Sequence, residues 1–343
     1  MHTKLAELLK NADAVLLTSP HNMRYFSGFS GGEGAVLITS SEKTVYTDSR
    51  YAEAAQLEAK SFNVIETNNW MGEIKGFETV VFEDEALSAA EYERLKNLLG
   101  KTKLLSGSAE LKKLRKVKTE AELEKISEAE ALACRAFEHV LGIIKPGLCE
   151  FELAAEIEYY MKKNGGEGTS FDTIAISGVR TSLPHGVPTG KRIEKGDFVT
   201  MDFGCKIGGY CSDMTRTVVV GKANDEQKKI YNTVKAAQQA GLDFIREGVT
   251  GKAADAAARK IIQDAGYGDY FRHSLGHGVG LLVHELPNLS PKSEIELKAN
   301  MVVSCEPGIY IPGFGGVRIE DLVIVKADGN INLTPATKEL IEI

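Results

Sequence analysis

The sequence has no long hydrophobic run and no paired cysteine motif. Nowhere in its 343 residues does an apolar stretch approach the roughly 18 residues that a membrane-spanning helix needs. The N-terminal segment also lacks the continuous apolar core and cleavage site of a signal peptide. The five cysteines form no CxxC pair and are odd in number, which favours reduced, buried thiols. We therefore expect a cytoplasmic protein without a membrane partner.

An excess of positive charge is also absent. The chain has 41 Lys and Arg residues against 48 Asp and Glu residues, for a formal net charge of −7. Nucleic-acid binding depends on contacts from Lys and Arg to phosphates, so we expect no nucleic-acid partner. Hydrophobic residues make up 43% of the chain and charged residues 26%, which is ordinary for a soluble globular protein long enough for two domains.

The first third of the chain alternates strand and helix patterns. Alternating or β-branched runs predict strands at 14–19, 34–40, 43–49 and 79–84, and helical spacing predicts helices at 50–60 and 88–100. The glycine-rich segment 29–34 is predicted as a hairpin or loop, since no GK[ST] follows it. A polar segment then leads to a capping box, Thr119-x-x-Glu122, which opens a long amphipathic helix. We predict an α/β domain over residues 1–115 and a second domain over residues 119–343.

The second domain contains an internal repeat. The loop 144–147 and the helix that follows it are echoed, at a constant offset, by the loop 245–248 and its helix. A further long helix precedes each copy. This pattern predicts two helix-helix-strand halves around a common sheet.

Acidic side chains and a histidine occur in strand-rich or glycine-rich segments of this domain. They are Asp202, Asp213, His277, Glu306 and Glu320. Taken singly, each could be a turn or strand-end residue that faces water. Together they imply cations, because a cluster of buried carboxylates without partners is strongly disfavoured. Carboxylates with one imidazole favour Mn²⁺, Co²⁺, Fe²⁺ or Zn²⁺ over a thiolate site, and a pair of such ions points to hydrolysis.

Two of these acids flank a hairpin whose register the sequence predicts. A two-residue turn at 208–209 places Asp213 opposite Gly204, two residues from Asp202 on the same strand. The two aspartates then point to one face as diagonal neighbours, about 7–8 Å apart at Cα. A slip of one residue would put them on opposite faces, so the prediction depends on the turn.

Several motifs resemble the pita-bread metallopeptidases. They are His273-x-x-Gly-His277-Gly-x-Gly-x-x-x-His284-Glu-x-Pro, MDFG at 201–204, SDMTRT at 212–217, EPGIY at 306–310 and GVRIED at 316–321, with NMRYFSGF at 22–29 and YTDSRY at 46–51 in the first domain. The resemblance is greatest to Xaa-Pro aminopeptidase (aminopeptidase P) and Xaa-Pro dipeptidase (prolidase). It implies a creatinase-like α/β N-terminal domain and a pseudo-twofold α+β catalytic domain, with an antiparallel sheet, flanking helices and metals at the concave face. It also implies a homodimer.

The resemblance assigns roles to the metal ligands by position. It implies that Asp202 binds one ion and that His277 and Glu306 bind the other. Asp213 and Glu320 would bridge the two ions. Glu306 would also accept a proton from the bridged water, because a metal-bound carboxylate can still use its second oxygen. Mn²⁺ is our first expectation for both ions, with Co²⁺, Zn²⁺ and Fe²⁺ as alternatives.

Further residues are implied to act around the metals. His185 and His284 resemble histidines that contact the substrate and the tetrahedral intermediate. Arg318 would pair with ligand carboxylates and Thr215 would hydrogen-bond one of them. His273 is expected in the pocket wall.

The implied reaction is cleavage of the bond between an N-terminal residue and a penultimate proline. A dipeptidase must also bind the free carboxylate of proline, ideally through a bidentate Arg. Arg318 is assigned to the metal carboxylates, Arg216 should point away from Thr215, and other cations are unplaced, namely Arg180, Arg272 and Lys292. We therefore expect an Xaa-Pro aminopeptidase, with prolidase as the alternative. A methionine aminopeptidase, a creatinase-type amidinohydrolase and a non-enzymatic pita-bread binding protein fit the domains or the intact ligand set less well.

Overall fold

The computed structural model describes residues 5–343, which fall into two compact units. The first unit ends at Leu114 and the second begins at Arg115. Residues 1–4, where the first predicted domain starts, lie outside the described residues. Within residues 5–343 no helix has the length and apolar character needed to cross a membrane.

The first unit is a mixed sheet with helices around it. Its strands are β1 (Ala14–Leu17), β2 (Ala35–Thr39), β3 (Lys43–Thr47), β4 (Asn63–Glu66), β5 (Thr79–Phe82) and β6 (Lys103–Ser106), in the order β4-β3-β2-β1-β5-β6. Its helices are α1 (Pro20–Ser27), α2 (Ala52–Glu58), α3 (Trp70–Glu73), α4 (Ala89–Leu99) and α5 (Ser108–Leu114). β1 pairs antiparallel with β2 and parallel with β5. Alternate residues of the central strands belong to two apolar clusters, one on each face, so the centre of the sheet is buried.

The predicted elements of this unit correspond to β1, β2, β3, β5, α2 and α4. Helix α1 was missed because the strand pattern at 14–19 runs into its cap. Ser19 is extended and its hydroxyl accepts the N–H of Asn22, while Pro20 stands at the first helical position. Strands β4 and β6 were also missed. Each lies at an edge of the sheet with only half-buried residues at its middle positions, so neither has a strong apolar pattern.

The second unit combines helix pairs with antiparallel sheets. Its helices are α6 (Glu120–Leu141), α7 (Glu150–Lys163), α8 (Asp225–Phe244) and α9 (Gly251–Asp264). Its strands are β7 (Ile174–Ser177), β8 (Phe198–Phe203), β9 (Lys206–Ile207), β10 (Tyr210–Cys211), β11 (Met214–Val219), β12 (Gly276–Gly278), β13 (Glu285–Leu289), β14 (Val302–Cys305), β15 (Gly308–Ile311), β16 (Gly315–Arg318), β17 (Asp321–Lys326) and β18 (Gly329–Asn332).

The strands that carry the candidate site meet at one junction. Antiparallel pairing gives the orders β11-β8-β7 and β13-β12-β14-β17-β18, with hairpins β9-β10 and β15-β16 beside them. A single bridge between Thr215 on β11 and Glu320, directly before β17, connects the two sheets. Side chains on one face of this junction converge from both sheets.

The predicted repeat is visible in the backbone. Gly147 and Gly248, which precede α7 and α9, have φ values of +93° and +80°, and Gly165 and Gly266, which follow these helices, have φ values of +102° and +85°. Positive φ favours glycine, so both copies keep it at the same places. At the start of α6, the Thr119 hydroxyl accepts the Glu122 N–H and the Glu122 carboxylate accepts the Thr119 N–H, as the capping box predicts.

The hairpin that carries the two aspartates has the predicted register. Gly208 and Gly209 have φ values of +58° and +79°, as a two-residue turn between twisted strands requires. Residue 207 pairs with residue 210, and further along Thr215 pairs with Asp202. The carboxylate of Glu167 accepts the N–H groups of both turn glycines at 2.8 and 2.9 Å. This contact from a neighbouring segment fixes the turn.

Candidate metal centre

The predicted ligands come together at the junction of the two sheets. They lie on β8 (Asp202), before β11 (Asp213), on β12 (His277), after β14 (Glu306) and before β17 (Glu320). All five line one cavity of about 620 Å³. Each is contributed by a strand or by the residue next to a strand, so the backbone around them is held by ladder hydrogen bonds.

The distances between donor atoms suit shared cations. Nε2 of His277 lies 3.2 Å from Oε1 of Glu306 and 3.5 Å from Oδ2 of Asp213. Ligand atoms of Asp213, His277 and Glu320 all lie within 4.8 Å of one another. Two donors on one ion with bonds of about 2.1 Å can be at most about 4.2 Å apart. The observed spacing therefore needs only small side-chain adjustments around an ion.

Burial and repulsion between carboxylates raise the pKa values of three of these acids. Burial raises the pKa of Asp213 well above its usual value, and the neighbouring charges of Glu320 and Asp202 raise it further. The pKa of Glu320 is also raised well above the ordinary range, first by burial and then by Glu306 and Asp202. Burial raises the pKa of Asp202 although the charge of Arg318 opposes it. A divalent cation reverses this effect because it stabilises the ionised form of all three groups.

Glu306 and His277, by contrast, stabilise each other's charged forms. Burial disfavours the Glu306 carboxylate, but the hydrogen bond and charge of His277 outweigh burial and lower the pKa of Glu306 to about 2. Burial also disfavours a charged His277, yet the contact with Glu306 raises the pKa of His277. Nδ1 of His277 lies 3.2 Å from the carbonyl oxygen of Gly278 and must donate to it. Nε2 therefore faces the acids and can bind a cation when it is not protonated.

Unsatisfied oxygen atoms show that the residues fit a cation. Oδ1 of Asp202 and Oε1 of Glu320 are buried and accept no hydrogen bond from any residue in the range 5–343. The other oxygen of each carboxylate is engaged, by Arg318 for Asp202 and by the Thr215 hydroxyl, at 2.7 Å, for Glu320. A buried carboxylate oxygen without a donor is costly, and a metal ion supplies the missing partner.

Arg318 and Thr215 each contact one of the predicted ligands. Arg318 donates from Nη2 to Asp202, from Nε to the Thr215 hydroxyl at 3.0 Å and from Nη1 to the Tyr310 hydroxyl at 2.8 Å. The Thr215 hydroxyl in turn donates to Glu320. Each of the two residues holds one carboxylate oxygen and leaves the second free for a cation.

Tyr310 was not among the predicted site residues. Its hydroxyl accepts from Arg318 and lies 2.9 Å from Nε2 of His273. His273 donates from Nδ1 to the carbonyl of Ser274, at 2.8 Å, and burial lowers its pKa, so its Nε2 accepts from Tyr310. The register of β15 and β16 puts Tyr310 and Arg318 diagonally on one face. The same hairpin reasoning that placed the aspartates could have found this tyrosine.

The three other histidines expected at the site lie at the cavity wall. His273, His185 and His284 all line it. The rings of His284 and His277 meet edge to face, with centroids 4.2 Å apart and planes at 65°. Burial lowers the pKa of His284, and the charge of His277 lowers it further. His284 is therefore a neutral imidazole at neutral pH, which can donate a hydrogen bond from its N–H.

The other basic residues considered for binding the carboxylate of proline do not line the cavity. Among the described residues, Arg318 is the only Lys or Arg in the cavity wall. Arg216 points to the other face of β11, as expected, and forms a buried ion pair of 2.7 Å with Asp321. Arg180 is bound to Glu150 at 3.1 Å, and Arg272 donates to the carbonyl of Asp269. Lys292 is absent from the cavity wall as well.

Comparisons with known proteins agree with this architecture. Residues 124–327 match the model of metallopeptidase family M24, and residues 2–117 match the creatinase/prolidase N-terminal domain. An Xaa-Pro dipeptidase of Pyrococcus furiosus is 42% identical over 350 residues, which cover 99% of this chain and 100% of that protein.

Solved structures are equally similar. An Xaa-Pro dipeptidase from Bacillus anthracis superposes with a TM-score of 0.96 at 42% identity, covering 99% of this chain and 98% of the other. An X-Pro aminopeptidase from Thermotoga maritima superposes with a TM-score of 0.91 at 38% identity, covering 98% and 99%.

The fold and the family match define a peptidase of the pita-bread class that depends on divalent metal ions. The chain belongs to metallopeptidase family M24 and carries a creatinase/prolidase N-terminal domain. The predicted fold class and the resemblance to proline-specific members are thereby confirmed. The comparisons leave the roles of individual ligands and the identity of the metal as predictions.

Proposed function

We propose that this protein is an Xaa-Pro dipeptidase that uses two divalent metal ions to hydrolyse the bond before a C-terminal proline. The observation that carries the proposal is the similarity, at 42% identity over essentially the whole length of both chains, to an Xaa-Pro dipeptidase. The dipeptidase structure with a TM-score of 0.96 supports it as well. The sequence alone favoured the aminopeptidase, with prolidase as the alternative. The similarity to dipeptidases favours prolidase instead.

The five converging ligands would hold the two ions as the family resemblance implies. Asp202 would bind one ion, His277 and Glu306 the other, and Asp213 and Glu320 both. When bound, such ions lower the pKa of water and polarise the scissile carbonyl. Mn²⁺ is the proposed metal, with Co²⁺, Zn²⁺ and Fe²⁺ as alternatives.

Glu306 is the proposed proton acceptor. Its pKa of about 2 keeps the carboxylate ionised at neutral pH. The contacts from Ser304 and His277, both at 3.2 Å, fall on the same atom, Oε1. Among the described residues these contacts leave Oε2 for a proton from the attacking water.

His284 and His185 are the proposed contacts to substrate. Both line the cavity, and a neutral His284 can donate its N–H to an oxygen that gains charge as the carbonyl is attacked. Arg318 is assigned a different role, because its contacts to Asp202, Thr215 and Tyr310 fix ligand orientation.

An Xaa-Pro aminopeptidase is the second candidate, and one observation favours it. A dipeptidase binds the free carboxylate of proline, yet within the described part of the chain the only Lys or Arg in the cavity wall is Arg318. Its three nitrogen atoms already donate to other groups. A longer peptide has no such carboxylate next to proline and needs no dedicated cation.

A matched peptide panel distinguishes the candidates. We would measure kcat/KM of the Mn²⁺-loaded protein on Leu-Pro, Leu-Pro-Gly and the proline-free control Leu-Ala. The proposal predicts that Leu-Pro exceeds Leu-Pro-Gly by at least tenfold, or about 1.4 kcal/mol. The reverse order would establish the aminopeptidase instead. Hydrolysis of Leu-Ala at the rate of Leu-Pro would contradict proline specificity altogether.

We also propose a homodimer. Sedimentation or light scattering of the metal-loaded protein should give twice the monomer mass of 37.2 kDa. A monomer at concentrations used for the assay would contradict this assembly without affecting the proposed chemistry.

A further inference from the structure

A buried ionic cluster is centred on the residue that follows His284 in the sequence. Glu285, the first residue of β13, has a side chain that is only 3% exposed. Its Oε1 accepts the N–H of Leu282 at 3.2 Å and lies 3.1 Å from Nε of Arg115, and its Oε2 lies 3.8 Å from Nζ of Lys118. The side chains of both cations are also buried, at 3% and 1% exposure. The carboxylate thus connects the loop 279–284 to the residues that precede α6.

The loop is shaped to accept this carboxylate. A Cβ atom at Gly280 would lie 2.6 Å from Oε2 of Glu285, so a larger residue there would displace the carboxylate from this position. The carbonyl of Gly280 accepts the N–H of Cys211 at 2.8 Å. The backbone at both ends of the loop is therefore held, at one end by strand β10 and at the other by Glu285.

The ring of His284 has no comparable support of its own. Across residues 5–343, no side-chain or backbone group forms a hydrogen bond with it, and its ring contact is with His277. The position of the imidazole therefore depends on the backbone of residues 279–284. Glu285 contacts that backbone, because it is adjacent in sequence and its carboxylate accepts the N–H of Leu282.

We propose that Glu285 is a positioning residue for His284, held in place by Arg115 and Lys118. The cations fix the carboxylate, the carboxylate fixes the loop, and the loop holds the imidazole against His277 at the cavity. This inference rests on the proposed role of His284 in peptide hydrolysis. Glu285 itself lies outside the cavity wall and touches no substrate.

A double-mutant cycle tests the proposal. The proteins are wild type, Glu285→Gln, His284→Ala and the double variant, with Glu294→Gln as the control. Glu294 pairs with Lys252 at 2.8 Å on the surface, where its side chain is 71% exposed. Glutamine keeps the size of Glu285 but removes the charge that Arg115 and Lys118 contact. Turnover of the best Xaa-Pro peptide, bound metal and amide hydrogen exchange of residues 279–285 would be measured in each protein.

We expect Glu285→Gln to lower kcat at least about fivefold with KM and metal content near wild type, because small displacements of a contact group reduce turnover strongly. In the His284→Ala background the same substitution should change kcat by less than about twofold, since the effect acts through the missing ring. The Leu282 amide should exchange faster in Glu285→Gln, in a measurement that needs no substrate. Glu294→Gln should leave all three quantities unchanged.

Equal fold-losses of kcat in the two backgrounds would overturn the proposal, as would unchanged exchange at Leu282. If Glu285→Gln does not fold, Lys118→Met replaces it. Lys118→Met removes only the more distant cation and should give a smaller loss that again disappears without His284. A wild-type protein that cleaves no Xaa-Pro peptide would contradict the proposed function, whereas the exchange result would still test the hold of Glu285 on the loop.

Discussion

The buried acids of the candidate centre differ in what balances their charge. Asp213 and Glu320 face other carboxylates, and burial with this repulsion raises their pKa values well above the ordinary range. Glu306 faces His277, which lowers the pKa of Glu306 to about 2. Without metal, the first two therefore favour the protonated form and Glu306 the ionised form. A divalent cation is the partner that lets all of them ionise together.

This difference gives a prediction for Glu320→Gln. The substitution preserves shape but removes a proposed bridging ligand, so bound metal and turnover should be lost together. The metal-free variant should be at least as stable as metal-free wild type, because a neutral amide needs no bound proton to avoid repulsion from Asp202 and Glu306. Elemental analysis, peptide hydrolysis and thermal unfolding with chelator would be compared with Glu294→Gln. Two bound ions with normal turnover in Glu320→Gln would rule out the bridging role.

The type of each residue decided whether its place in the site could be predicted from the sequence. The acids and His277 were found because charged residues are conspicuous in apolar strand segments. Tyr310 was missed although strand alternation in its hairpin places it on the face of Arg318. Glu285 was missed because its role comes from contacts with Arg115 and Lys118, which are far from it in the sequence. Those contacts depend on tertiary packing, which local spacing does not encode.

At the scale of elements, the β9-β10 hairpin sets which side chains face the candidate metal centre. Its Gly-Gly turn fixes the register that pairs Thr215 with Asp202. Asp202 and Asp213 share one face only in this register. This part of the site could be predicted because turn type and strand alternation are local properties. The bridge between Thr215 and Glu320 could not be, since its partners are 105 positions apart.

Gly208→Ala should destabilise the protein through this turn. Gly208 has a φ of +58°, and a Cβ there would lie 2.9 Å from Cδ of the Lys125 side chain. Left-handed backbone costs an alanine about 1–2 kcal/mol, and the flexible lysine can move aside. We expect a loss of unfolding free energy of about that size in denaturant titrations.

Gly329→Ala is the matched control for the turn. A Cβ at Gly329 meets no atom within 4 Å, and this glycine does not have a positive φ. Its substitution should change the unfolding free energy by less than about 0.5 kcal/mol. Equal effects at the two glycines would show that the conformation of the turn does not limit stability.

For the whole molecule, we expect the candidate metal centre to couple metal binding to folding. Asp213, Glu320 and His277 have pKa values raised in the metal-free folded state, and burial also raises the pKa of Glu130 to about 7. The folded state then holds protons that the unfolded chain releases. Stability from such groups is complete below their unfolded pKa values and is lost as pH rises through the folded ones.

The stability of the metal-free protein should therefore fall between pH 6.5 and 8.5. His273 and His284 have lowered pKa values and act in the opposite sense, but their contribution is complete above the ordinary histidine pKa of about 6.5. The contribution of Glu306, whose pKa is about 2, is constant over this window. Only the raised groups change, so the Tm of chelated protein should decrease with pH.

Metal should reverse this trend, because ions bind deprotonated ligands and binding strengthens as pH rises. The difference in Tm between protein with saturating Mn²⁺ and protein with chelator should grow from pH 6.5 to 8.5. Glu130 is not a proposed ligand, but its carboxylate accepts the N–H of Asp213 at 3.1 Å, so it contributes to the same coupling. Thermal unfolding of both forms across the window would measure it, with the surface variant Glu294→Gln as a control that should leave the difference unchanged. A metal-free protein that gains stability with rising pH, or a Tm difference that does not depend on pH, would contradict the coupling.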